Sequence, residues 1–338
     1  MEFRLHNDCF EHNHYKALAV LLRLVDYENE MHKITVDDPD ILNSNLYYDL
    51  DKNDRDLITG SFNASVIDST PYEGESIDVK SQGCSEYTLK VFTLDEAVKY
   101  IQEPLWVLLE NDLYDGHFIK CLIRNFGTQR AKIALEKNQI RMGNSGGCGN
   151  TKNTLEEKIK GFGGKSKFLR IYIVWDGDQR YPEEIVSKYD SDKENLVSMN
   201  IGYHILHKRE MENYMPEEAI QELAVPQFRA WFDAYCSLTD IQKDYYDINH
   251  GFQYEKVAYS SANRDQLPSS IKNLFESVSD ANFDILKEGL KIGNFKRSFS
   301  DKFESSPYSN KATLLARTSI QPNPHELQDI ADAINRLL

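Results

Sequence analysis

Residues 168–175 read Phe-Leu-Arg-Ile-Tyr-Ile-Val-Trp, and the next three are Asp176-Gly177-Asp178. β-branched and aromatic side chains fit the pleated surface of a strand, so this run predicts the strongest strand of the chain, closed by a turn. Leu105-Trp-Val-Leu-Leu109 is a second run, apolar at every position. A strand without polar alternation is one covered on both faces, which is the condition of a parallel sheet flanked by helices.

Helix signals fall between these runs. Thr93-Leu-Asp-Glu96 is a capping box and predicts a helix over 94–102, ended by Pro104. Phe118, Ile119, Leu122 and Ile123 recur at helical spacing within 112–125, and Pro182 marks a helix start before 183–189. Tyr203-His-Ile-Leu206 predicts a third strand. Strands alternating with helices give an α/β fold whose functional loops lie at the carboxyl ends of the strands.

Single cores stop growing near ~250–300 residues, so 338 residues imply more than one packed unit. The chain divides into an N-terminal region 1–92, a catalytic-type core 93–225 and a mainly helical region 226–338. The first contains apolar segments at Tyr15–Val25 and Ser85–Phe92, separated by an Asp- and Asn-rich stretch with Pro39 and Pro71, and is expected to form an α+β or β-rich element. No apolar run approaches the roughly 18 residues of a membrane span, and the first residues lack a basic, cleavable leader. The five cysteines, Cys9, Cys84, Cys121, Cys148 and Cys236, form no Cys-x-x-Cys pair and read as reduced thiols. A cytoplasmic address without membrane partners is the expectation.

The formal net charge of −15 argues against a protein that coats nucleic acid with its whole surface. The charge is unevenly distributed. Residues 1–100 hold 20 Asp or Glu against 9 Lys or Arg, a net of −11, whereas 101–170 hold 12 bases against 7 acids, a net of +5. Within the basic stretch Lys158, Lys160, Lys165 and Lys167 are candidates for a local phosphate-tracking face, although basic residues also commonly decorate solvated helices.

Several motifs carry little. Gly161-Phe-Gly-Gly-Lys-Ser166 resembles the end of a phosphate loop, but Ile159 stands where Gly is required and a strand follows instead of a helix. His6, Cys9, His12 and His14 match no zinc-finger spacing. Asn144-Ser-Gly-Gly-Cys-Gly-Asn150 could cradle a phosphate with its backbone amides or serve as a plain connecting loop.

Acids stand after all three strands: Glu110 after the first, Asp176 and Asp178 after the second, Glu210 and Glu212 after the third. Carboxylates gathered at adjacent strand ends raise one another's pKa, and a hard divalent cation relieves that repulsion. The alternative is three sets of solvated turn acids.

Leu105-Trp-Val-Leu-Leu-Glu110, Ile173-Val-Trp-Asp-Gly-Asp178 and Lys208-Arg-Glu-Met-Glu-Asn-Tyr214 together resemble the TOPRIM domain, above all its branch in OLD-type and related standalone bacterial defence nucleases. The resemblance spans about residues 94–225 and implies a parallel sheet flanked by helices. It implies Glu110, Asp115, Asp176, Asp178 and Glu212 as ligands of Mg²⁺ or Mn²⁺, two ions in all. Asn111 replaces the family's usual Gly and Tyr114 stands at the usual Asp, so either Asp115, one residue further, takes that role or the second ion is bound differently. A downstream lysine balances charge in the family; Lys311 is the candidate, with Lys296 and Lys302 as alternatives. The implied activity is hydrolysis of DNA or RNA phosphodiesters by the effector of an anti-phage system, with a separate ATPase or sensor subunit and a homo-oligomer left open. An inactive interaction subunit of the same fold is the alternative, and a primase-like nucleotidyl transferase a further one.

Overall fold

The structure, a computed structural model, describes residues 1–27, 32–36, 38–67, 74–84, 90–145, 150–223, 226–254 and 257–338. Two four-stranded parallel sheets organise it. The first joins β1 (Glu2–Leu5), β2 (Lys33–Thr35), β3 (Ser76–Val79) and β4 (Val91–Phe92) in the order β2-β1-β3-β4. Helices α1 (Tyr15–Tyr27) and α2 (Lys52–Ile67) connect its strands, and α3 (Leu94–Gln102) packs against α1. The N-terminal region is therefore α/β with parallel strands, which corrects the expectation of an α+β or β-rich element. Tyr15–Val25 reads as apolar because it is a helix that buries Leu18, Leu21, Leu22 and Val25 in this region's own core. Of the segment Ser85–Phe92, residues 85–89 lie outside the described residues.

The second sheet contains β5 (Leu105–Leu109), β6 (Ile140–Asn144), β7 (Ile171–Trp175) and β8 (Gly202–Ile205), ordered β6-β5-β7-β8 and parallel throughout. Every residue of β7 is buried. Tyr172 and Val174 face a core shared with α4 (Asp115–Phe126), α5 (Gln129–Glu136) and the C-terminal helices. Ile171, Ile173 and Trp175 face the other layer, with Leu155 of α6 (Thr151–Gly161) and Leu196 of α7 (Asp190–Ser198). This two-sided cover is what the unbroken apolar runs predicted.

The capping box forms as written: Thr93 Oγ1 accepts the Glu96 N–H at 3.2 Å, and Glu96 Oε2 accepts the Thr93 N–H at 3.1 Å. The helix expected over 183–189 does not form. Glu183 takes a left-handed φ of 64°, and Glu184 turns its carboxylate onto the Arg180 N–H and guanidinium, so only a short 3₁₀ turn at Ser187–Tyr189 precedes α7.

Beyond residue 225 the described chain is mainly helical, with one short antiparallel pair, Gln253–Tyr254 with Val257–Ala258. Its members include α8 (Arg229–Cys236), α9 (Asp240–Tyr245), α10 (Phe295–Ser300), α11 (Lys302–Ser305), α12 (Lys311–Thr318) and α13 (Glu326–Arg336). Helices α11 and α13 both pack on α4, so the helical region and one face of the second sheet share a continuous apolar core. Among the described residues no helix is long and apolar enough to cross a membrane.

Candidate functional site

In the second sheet the chain passes from β5 to β6 on one side, then crosses back to β7 on the other. The crevice outside the carboxyl ends of β5 and β7 is therefore the topological switch point, where open parallel sheets bind ligands because their loops diverge there. Glu110 directly follows β5 and is exposed. Asp115 opens α4, is buried, and its Oδ2 accepts the Asn111 N–H at 2.8 Å. Asn111 Oδ1 in turn accepts the N–H groups of Leu113 and Tyr114 at 3.1 and 3.2 Å, so Asn111 builds the turn that aims Asp115 at the crevice.

Asp176 directly follows β7, and its Oδ1 accepts the Met211 N–H at 2.9 Å. That bond joins the β7 end to the segment carrying Glu210 and Glu212. Gly177 makes the approach feasible: a Cβ there would lie 2.3 Å from the Lys208 carbonyl oxygen and 2.4 Å from that of Leu206. Asp178, with a left-handed φ of 53°, points elsewhere. It pairs with Lys188 and accepts the Tyr189 hydroxyl at 3.0 Å. The structure thus separates the two aspartates of the motif, one facing the carboxylates and the other a lysine.

Glu212 is buried, and its Oε1 lies 2.9 Å from Lys296 Nζ on α10. Asp115, Asp176 and Glu210 feel the charge of this pair from nearby, and Glu212 alone of the four contacts the ammonium. Burial and then the Glu212 charge push Asp115 up to about 7. The same two causes, in the same order, lift Glu210 to about 8 and Asp176 well above the ordinary carboxylate range. For Lys296, burial opposes the charge, but the Glu212 carboxylate and its neighbours outweigh it and hold the amine above its usual value. A set of carboxylates that cannot all ionise without a cation has the donor chemistry that Mg²⁺ or Mn²⁺ requires. Among the described residues these oxygens are not gathered, three together, within 4.8 Å.

The segment 208–214 is held from behind. Lys208 is fully buried, pairs with Asp244 of α9 and donates to the Arg317 carbonyl at 2.7 Å. Asn213 donates to the carbonyls of Lys243 and Tyr246 at 2.7 and 2.8 Å, and Arg317 donates to the Asn213 carbonyl at 2.8 Å. The helical region therefore fixes the backbone on which Glu210 and Glu212 stand.

The lysine that reaches the carboxylates is Lys296. Lys311, exposed at the start of α12, sits 5.3 Å above the Phe126 ring, and Lys302 pairs with Glu222 at 2.8 Å. The expected basic face is also redirected. Lys167 is buried against Glu96 at 2.7 Å, Lys165 reaches the same carboxylate at 2.8 Å, and Lys158 lies 3.7 Å above the Trp106 ring. Lys160 alone of the four is fully exposed. Lys165 and Lys167 precede β7 whereas Asp176 follows it, which puts them about 16 Å away along a five-residue strand, at the opposite edge of the sheet. In the glycine-rich loop, residues 146–149, including Cys148, lie outside the described residues.

Sequence reasoning passed over His204, His207 and Glu326, whose ligand atoms come within 4.8 Å of one another. The His-x-x-His spacing was there to be read; the glutamate, 119 residues beyond His207, was not. No family model matches the chain, and neither the curated proteins nor the solved structures give a match.

Proposed function

We propose that the chain is a divalent-metal-dependent nuclease of the TOPRIM type, hydrolysing phosphodiester bonds of DNA or RNA. The observation that carries this reading is the placement of Asp115, Asp176, Glu210 and Glu212 at the switch point of a parallel sheet, with Asp176 tied to the Met211 amide between the two glutamates and Glu212 paired with Lys296. Asp115, Asp176 and Glu212 would hold Mg²⁺ or Mn²⁺, with Glu110 at the rim. Such ions activate water and neutralise charge developing on phosphate oxygens. Lys296 offers a positive charge beside the same point, and Asp176 couples the β7 end to the Glu212 segment through the Met211 amide. The effector role in anti-phage defence, a cytoplasmic address and a separate ATPase or sensor subunit belong to the same proposal and rest on the resemblance. A second reading, an inactive regulatory subunit, is favoured by one observation: Asp178 is engaged by Lys188 and Tyr189.

Incubating the protein, with and without the products of neighbouring genes, with labelled DNA and RNA plus Mg²⁺ or Mn²⁺ separates the two. Cleavage that falls at least 100-fold in Asp176→Asn and Glu212→Gln supports the nuclease. No cleavage under any condition, or cleavage indifferent to both substitutions, removes it.

A further inference from the structure

We propose that His204, His207 and Glu326 form a separate site for a transition-metal dication of the zinc class, bracing α13 against the end of β8. This inference does not depend on the nuclease reading. His204 Nε2 lies 2.7 Å from Glu326 Oε1, and the rings of His204 and His207 are parallel within 4°, their centroids 6.0 Å apart. Two imidazoles and one carboxylate are a donor set of intermediate softness that suits Zn²⁺, Fe²⁺, Ni²⁺ or Cu²⁺, whereas Mg²⁺ requires oxygen. Ligand atoms around a tetrahedral zinc, bound at about 2.0–2.2 Å, stand roughly 3.3–3.5 Å apart, inside the span these atoms already occupy.

The surroundings are those of a held ligand set. Glu326 is fully buried, its Oε2 accepts the Tyr214 hydroxyl at 2.5 Å, and its Oε1 accepts the His207 N–H at 2.8 Å. Outer hydrogen bonds of this kind orient a metal-binding carboxylate. His204 stands on β8, locked in the sheet, and Glu326 is the first residue of an 11-residue helix, where a carboxylate is favoured. Both histidines are partly exposed, which leaves an entry path and an open position for water. Among the described residues the His207 ring makes no hydrogen bond of its own; its backbone N–H on Glu326 Oε1 and its stacking on His204 hold it beside the carboxylate and leave its ring nitrogens open to an ion. The chain from His207 to Tyr214 carries Glu210 and Glu212, and an ion here would brace that segment from its far end.

Chelator-treated protein titrated with Zn²⁺ by calorimetry, and with Co²⁺ by visible absorption, tests the site. One equivalent should bind in the Glu212→Gln background, where the carboxylate cluster no longer competes for the ion, and the Co²⁺ spectrum there should show the intense bands of low-coordinate nitrogen and oxygen ligation. His207→Ala should weaken binding at least tenfold, with His207→Gln as a second variant and circular dichroism verifying the fold of each. Asp176→Asn and Glu212→Gln should leave it unchanged. Absence of Zn²⁺ binding, binding that survives loss of either histidine, or binding that vanishes with Glu212→Gln would overturn the proposal and leave His204 and Glu326 as a plain hydrogen-bonded pair.

Discussion

Asp176 is the residue at which stability and the proposed activity pull apart. Its carboxylate is half-buried next to Glu212, Asp115 and Glu210, and its ionised form is disfavoured by burial and by all three. An amide of the same shape keeps an oxygen to accept the Met211 N–H but removes one charge from the cluster. Asp176→Asn is therefore expected to stabilise the protein in EDTA at pH 8 by about 1–2 kcal/mol, a rise of ~2–4 °C in thermal midpoint, as charge removal at a strained functional site does. The same variant should lose the stabilisation that Mg²⁺ gives the parent. An unchanged or lowered midpoint in EDTA would mean that the carboxylates do not repel one another as their surroundings imply.

At the scale of elements, the turn between β7 and the 208–214 segment is the joint on which the site depends. Gly177→Ala puts a methyl group inside contact distance of two backbone carbonyls, and backbone cannot step aside as a side chain can. A loss of about 2–4 kcal/mol is expected, the range of overpacking and local strain, read as a fall in the denaturant midpoint; a change below 0.5 kcal/mol would show that the two segments part easily. This joint also marks how far the sequence could be read. The strand, the turn and the need for glycine were legible at 168–178 because they are local: hydrophobic patterning and turn chemistry act over a few residues. The capping box and β5 were legible for the same reason. What failed was non-local. Asp178 reads as a twin of Asp176, but the direction of each side chain is decided by Lys188, Tyr189 and the left-handed backbone at 178. Glu183–Tyr189 follows the helix-start residue Pro182, yet Arg180 draws Glu184 away and the helix begins later. Lys296, Lys302 and Lys311 have comparable local surroundings in sequence, and only packing of the C-terminal helices on the sheet selects Lys296.

Both sheets repeat one winding, strand order 2-1-3-4, but the second gathers buried acids at its switch point, whereas at the first Asp8 accepts the backbone N–H and hydroxyl of Ser81. At the first, the chain continues from β1 into His6 and from β3 into Lys80, where His6 pairs with Asp78 at 3.2 Å. The pH dependence follows from the sign of the shifts in the second sheet's acids. Asp115 and Glu210 hold their protons up to about 7 and 8 in the folded state, against ordinary carboxylate values near 4 in the unfolded chain. Between these limits the two carboxyls bind more protons in the folded state than in the unfolded one, so their contribution to stability falls as pH rises from about 4 to about 8, while the Met1 amine, pulled down to about 3 chiefly by burial, acts in the opposite direction over the same range. Above that window the trend is opposed by Lys208, whose amine burial and the nearby Arg317 pull down to about 8. In EDTA the thermal midpoint of the parent should therefore drop between pH 5.5 and 8 relative to that of Asp176→Asn, which carries one carboxylate fewer in the cluster, by an amount on the order of 1–2 kcal/mol in stability. Millimolar Mg²⁺ should restore most of the loss at pH 8 and little at pH 5.5, where protons already do the neutralising. A gap between parent and Asp176→Asn that does not widen with pH in EDTA, or a Mg²⁺ effect equal at both values, would separate the carboxylate cluster from any divalent-ion site.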